Sequence, residues 1–168
     1  FDDSSGNSYA GISDTTSLSF TTADIVAPTL SSNSPADNAT AVAVDSNIIL
    51  NFSEAVDVES GNITIKKTSD NSTVESIAVD SSQVSGSGTN QITINPTSNF
   101  DSSTAYYVQI DSTAFDDAAG NSYAGISDAT SLSFTTADVI APSLSSSSPA
   151  DNATDVSISA NIVLNFSE

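Results

Sequence analysis

The sequence predicts an all-β chain built as two-layer sandwiches set in tandem, with about seven strands in each, and three observations carry that expectation. Apolar residues recur with period two in short runs, the spacing that puts every second side chain on one face of a strand. Clusters of Ser, Asp, Asn and Gly, such as SGSGTN at residues 85–90, separate the runs and favour turns. The first 54 residues recur at residues 115–168. No stretch carries a helical period.

Taken in order, residues 29–32 are expected to open the complete unit as a short strand. Residues 47–53 follow, with Ile48, Leu50 and Phe52 on one face. The run 62–67 offers Ile63 and Ile65, with Lys66 and Lys67 at its end. Residues 73–80 form a further strand, but STVESIAV slips phase between Val74 and Ile77, which predicts a bulge or bend. Residues 91–95 present Ile92 and Ile94; residues 104–111 present Tyr106, Val108 and Ile110; residues 131–136 present Leu132 and Phe134. Short strands at this spacing, parted by turns, describe a Greek-key β-sandwich.

The duplication sets the domain organisation. FDDSSGNSYAGISD starts at Phe1 and FDDAAGNSYAGISD at Phe115; SPADNAT recurs at Ser34 and Ser148, and NFSE at Asn51 and Asn165, each 114 residues on. Of the 54 paired positions 13 differ, mostly conservatively, as Ile25 against Val139 and Ile49 against Val163. A period this long exceeds the roughly 20–50 residues of solenoid units, so each repeat is expected to fold as a domain. The expected division is residues 1–24 as the end of one repeat, 25–138 as a complete repeat and 139–168 as the start of the next. That makes the chain a window on a longer array, opening in mid-repeat. The stretches IVAP and VIAP, ending at Pro28 and Pro142, read as short, extended, stiff junctions.

Composition narrows the function. A net charge of −19, from 21 acidic residues against Lys66 and Lys67, repels nucleic acid and anionic lipid and attracts cations. The chain has no Cys, and so neither disulfide nor thiolate site; it also lacks His, Met and Trp. No apolar run approaches the ~18 residues of a membrane span. Without His, a G-x-S-x-G elbow or S-x-x-K, no serine has an activating partner. No phosphate-binding glycine loop is present. Carboxylate pairs of the kind that hydrolyse glycosides are expected by chance among so many turn aspartates. The expectation is that the chain is not an enzyme.

The order P-x-L-x-x-x-x-P-A-D-N-A-T from Pro28, N-I-x-L-N-F-S-E from Asn47, D-D-x-x-G-N from Asp116 and S-F-T-T from Ser133 resembles the bacterial Ig-like domain of the SbsA type. That family occurs in tandem in surface-layer proteins and in giant RTX-type adhesins. The resemblance implies an Ig-like fold and a spacer role at a bacterial cell surface, with no shared catalytic residues. The Cys pair and Trp of antibody domains are missing, so core packing must replace them.

In an Ig-like topology the loop after the second strand and the loop before the last one share a pole with the incoming linker. The first of these, SEAVDVESGN, carries Glu54, Asp57 and Glu59; the other carries Asp111, Asp116, Asp117 and Asn121; Asp24 stands just before the linker. Asp24, Glu54, Asp57, Asp116 and Asp117 are the candidate ligands for Ca²⁺, which takes six to eight oxygens. The plainer reading is a set of solvated turns, since Asp and Asn bond their own backbone and no regular D-x-[DN]-x-[DN]-G loop is present. Alternation is expected to place one of Lys66 and Lys67 inward or at an edge, and Lys on an edge strand discourages sheet-to-sheet pairing. Tyr9 and Tyr123, in NSYAGI, are expected to pin their loops to the sandwich. The sequons at Asn38, Asn62 and Asn71 are expected by chance in a chain this rich in Ser, Thr and Asn.

The functional expectation is an extender or fibre module of a large extracellular adhesin or matrix protein. Its partners would be neighbouring repeats and, in a fibre, like chains. Two alternatives stand: a carbohydrate- or protein-binding module, or the subunit of a strand-exchanged filament. NSYAGIS and SPADNAT are identical in both copies, which favours structure over selective recognition.

Overall fold

The computed structural model describes all of residues 1–168, and they form strands and no helix. In chain order the strands are β1 (Leu30–Ser34), β2 (Ala39–Val42), β3 (Ile48–Val58), β4 (Asn62–Lys67), β5 (Thr73–Ala78), β6 (Val84–Ser85), β7 (Thr89–Ile94), β8 (Ala105–Ile110), β9 (Phe115–Asp116), β10 (Ser133–Thr136), β11 (Leu144–Ser148) and β12 (Val163–Phe166). One sheet runs β1-β3-β7-β6, with β9 added on β3; the other runs β2-β10-β8-β4-β5. β11 and β12 pair with each other.

Alternation builds the core. Ile48, Leu50, Phe52 and Val56 from β3, with Ile92 and Ile94 from β7, meet Ile63, Ile65, Ile77, Tyr106, Val108, Ile110 and Phe134 from the facing sheet. Each such side chain contributes about 1.5–3 kcal/mol by leaving water. Two aromatic clusters take the place of the absent disulfide. Phe52 packs on Phe115 (5.4 Å) and edge-on to Tyr123 (5.2 Å); Phe100 packs on Tyr106 (4.9 Å) and Phe134 (5.2 Å). The Tyr106 hydroxyl accepts a hydrogen bond from Asp101 N (2.9 Å), a tyrosine corner tying the start of β8 to the segment before it.

The first strand of the sandwich is split between the sheets. β1 lies antiparallel on β3, the chain turns at Pro35, and β2 then runs parallel to β10. β1 falls on the strand expected at residues 29–32, whereas β2, β6 and β9 are missing from the strands expected from sequence. Each is short, and its pairing is set by distant residues and not by local alternation. β3 also runs on to Val58, five residues beyond its expected end. It leaves β7 after Asn51, apart from one pairing at Val56, and meets β9 through Asp57 and Val58. The expected phase slip is a bulge: Ile65 pairs with Glu75 and Lys66 with Thr73, leaving Val74 unpaired and 44% exposed. Tyr123 does pin its loop, and Gly125 lets that loop lie close. At φ +76°, a Cβ there would stand 2.5 Å from Ile110 O.

Of the two placements expected for the lysines, the structure has the inward one and not the edge. β4 lies between β8 and β5 and is not an edge. Lys67 shares the inward phase of Ile63 and Ile65 at the strand's end and reaches out to Asp101 (2.7 Å).

Glu75 ties the open margins of the two sheets together. Its carboxylate accepts hydrogen bonds from Gln83 Nε2 (2.8 Å), Thr97 N (3.0 Å) and Thr97 Oγ1 (2.6 Å). Burial pushes this carboxyl up, but the bonds from Thr97 and Gln83 outweigh it and hold the group below its usual range. A depressed acid stabilises the fold above its unfolded pKa, near 4.3, and that contribution is lost as pH falls through the folded value. Glu75→Gln is therefore expected to lower the melting temperature at pH 7, with the gap shrinking as pH falls below the unfolded value of about 4.3. Circular-dichroism melts across that range check this; a pH-independent gap contradicts it.

Candidate metal centre at the linker

The linker is stitched to β3 before any charge is considered. Thr29 N donates to Ser53 Oγ (3.0 Å) and Ser53 N donates to Thr29 O (2.8 Å), while Pro28 is buried. One residue further along β3 stands Glu54. Counting by twos from Ile48, it shares the inward phase of Phe52 and Val56, but it lies beyond the stretch where β3 is regularly paired to β7. Alternation thus sends a carboxylate toward the end of the core, beside the incoming linker.

Asp117 comes to the same place from the opposite side. Its carboxylate accepts Ala119 N, Asn121 N and Asn121 Nδ2, each at 2.8 Å, and Gly120 N closes the turn on its carbonyl (3.0 Å). Asn121 also reaches the linker, donating to Asp24 O (3.3 Å), and the Asp24 carboxylate caps Val26 N (3.0 Å). Carboxylate oxygens of Asp24, Glu54 and Asp117 lie within 4.8 Å of one another. Asp117 is only 6% exposed.

The charges respond to this crowding in opposite directions. Asp117 is held below the usual carboxylate range, first by the side-chain bond from Asn121 and then by the loop amides. Glu54 receives no such bonds. Burial, then the charges of Asp117 and Asp24, push it up. The donor set is oxygen only, which suits a hard cation such as Ca²⁺.

Three of the five candidate ligands are brought together and two are not. Glu54 and Asp57 are three residues apart on one strand, so they face opposite sides, and Asp116 and Asp117 are neighbours that do the same. Asp57 instead lies opposite Asp116 across the β3–β9 pair and accepts from Ser87 Oγ (3.4 Å). Asp111 accepts from Asn62 N (2.8 Å) at the turn before β4. Ser53, which holds the linker, escaped the sequence reading; its signal was the recurrence of NFSE at both copies.

The parts of the arrangement recur wherever their sequence does. Asp3 accepts Ser5 N, Asn7 N and Asn7 Nδ2 at 2.9 Å, the counterpart of the Asp117 loop. Ser143 and Ser167 repeat the Thr29–Ser53 stitch at 3.0 and 2.9 Å, and Asp138 caps Ile140 N (3.0 Å).

A raised carboxyl binds its proton more tightly in the folded than in the unfolded state, so its ionisation at neutral pH costs stability. In metal-free buffer at pH 7, Glu54→Gln should melt higher than the wild type, with the gap closing as pH falls toward the ordinary carboxylate range near 4.3. A variant that melts no higher at neutral pH in EDTA would show that the three carboxylates do not strain the fold.

A search of curated proteins gave no match in sequence. Among solved structures, the chain is similar to CopC from Methylosinus trichosporium OB3b, at 18% identity and a TM-score of 0.49, over 68% of this chain and 97% of that one. It is also similar to the S-layer protein rSbsC, at 18% identity and a TM-score of 0.42, over 71% of this chain and 15% of that one. The profile of the family described as bacterial Ig-like domain matches residues 24–136, running from Asp24 to the last residue of β10. With a split first strand, a tyrosine corner and that match over more than half its length, the chain belongs to the bacterial Ig-like domain family.

Proposed function

We propose that the chain is an extender segment of a large extracellular bacterial adhesin or matrix protein. In this reading, Ig-like sandwiches of the SbsA type are joined end to end at the cell surface, and Ca²⁺ at each junction holds neighbours in line. The partners are the adjoining repeats and, in a fibre, like chains. The role is reach, not chemistry. The observation that carries the reading is the reuse of one junction. The 114-residue duplication brings back the same linker stitch, the same acidic loop and the same β-pairing, Leu144 with Phe166 as Leu30 with Phe52. A linker bonded to the next unit within five residues of Asp24 has little freedom to swing.

Asp24, Glu54 and Asp117 would hold the ion, which would exchange their mutual repulsion for a clamp between linker and domain. A ligand that binds only this ordered junction stabilises it by mass action, by about 2.7 kcal/mol at a hundredfold excess over its dissociation constant. Millimolar Ca²⁺ is therefore expected to raise the melting temperature, EDTA to reverse the gain, and Glu54→Gln to abolish it. In solution scattering, chains with one, two and three complete units should lengthen by roughly 40 Å per unit, given the ~3.3 Å rise of a strand residue. A compact particle without that increment would sink the spacer reading; a melt indifferent to EDTA would remove the metal from it.

A further inference from the structure

We infer that the parallel seam between β2 and β10 is the contact that bears load when the domain is pulled by its ends; its biological meaning rests on the extender reading above. Tension enters through residues 24–29 and leaves through residues 137–143. β1 meets it first, held on β3 by antiparallel pairs with an irregularity between Leu30 and Ser32. Past Pro35 the load passes to β2, which lies directly beside β10, the strand from which the chain departs. The incoming and outgoing segments of the domain therefore touch each other without an intermediary.

The direction of that pairing decides how the contact fails. β2 and β10 are parallel, with Ala39 beside Phe134 and Val42 beside Thr136. The pull on β2 points back along its axis and the pull on β10 points forward along the same line. The strands can part only by sliding past each other, so the bonds across the seam, set across the strands, are strained together. A pair pulled apart from one end would instead unzip bond by bond.

The seam is fastened at both ends. At its start, Asn38 N donates to Ser133 O (2.8 Å), and the exposed Asp37 carboxylate accepts both Ser133 N and Ser133 Oγ at 2.9 Å. At its finish, Ala137 N donates to Val42 O (2.8 Å). The outgoing strand is anchored separately on the segment before β8. Thr136 Oγ1 donates to Asp101 O (2.6 Å) and accepts from Thr104 N (2.9 Å), and Ser103 N donates to Ala137 O (3.0 Å). Beyond it Ser102 Oγ donates to Asp138 (3.1 Å) and accepts from Val139 N (2.9 Å). Sliding β10 out of place breaks both sets.

The test is single-molecule pulling of the whole chain by its two ends under constant load. Asp37→Ala removes the side-chain fastening, and Ala137→Pro removes the donor at the other end. Glu75→Gln, at the far margin of the sandwich, serves as the control that weakens the domain away from the seam. Forced unfolding follows the unfolding rate, so each seam variant is expected to unfold about tenfold faster at a given load, while Glu75→Gln lowers the melting temperature and unfolds at the wild-type rate. Seam variants that unfold at the wild-type rate, or a Glu75→Gln chain accelerated as much as they are, would overturn the inference. If Ala137→Pro prevents folding, Asp37→Ala decides alone, since it alters an exposed side chain. The result is independent of array length: a shear-resistant domain in a chain that scatters as a compact particle would keep this inference and discard the extender reading.

Discussion

The strict alternation of side chains along β3 is the constraint on which the rest depends. Eleven residues long, the strand packs Ile48, Leu50, Phe52 and Val56 into the core and carries one carboxylate, Glu54, in the same phase. A one-residue slip would turn all of them over together, so the burial of four apolar side chains also fixes where that charge sits. The core thus decides the electrostatics of the junction. Because Ser53 immediately before Glu54 bonds the linker, the position of the preceding segment is set by the same strand.

Coupling of this kind links the two ends of the domain to its middle. At the pole where the linker arrives, Phe52, Phe115 and Tyr123 pack beneath the acidic loop that Asp117 organises. At the pole where the chain leaves, Phe100, Tyr106 and Phe134 pack beneath the bonds that Thr136 and Ser102 make to the outgoing strand. Each aromatic cluster anchors a set of polar contacts to the body of the sandwich, since the entropy of ordering the segments that carry them is offset by burial. A domain with no disulfide thereby acquires two stiff ends.

What was legible in the sequence was what local pattern determines. The run Asn62–Lys67 is a strand over the residues expected, the bulge falls at the slipped phase in STVESIAV, and Tyr123 closes its loop on Phe52. The acidic turns at Asp3 and Asp117 take one geometry because their bonds are made within five residues. Pairing set at long range was not legible. Ser53 to Val58 carries a Ser, a Glu and an Asp and resembles a loop; partners far off in sequence keep it extended, Thr29 at Ser53, Thr89 at Val56, and β9, some sixty residues on, at Asp57 and Val58. That misreading, with the unforeseen β9, displaced Asp57 and Asp116. With 53–58 taken as a loop, Glu54 and Asp57 had no assigned faces, whereas on a strand they must face apart. β2 was missed for the same reason, as nothing in ATAV announces a parallel partner at Phe134.

Glu54, Asp117 and the linker's Asp24 share one side of β3, while Asp57 and Asp116 pair across the β3–β9 seam on the other. A crystal structure of the chain grown in millimolar Ca²⁺ addresses that directly. One ion is expected, held by the carboxylates of Asp24, Glu54 and Asp117, with Asp57 and Asp116 turned away from it. An ion seated instead between Asp57 and Asp116, or an Asp24 detached from a bare Glu54, would contradict that arrangement.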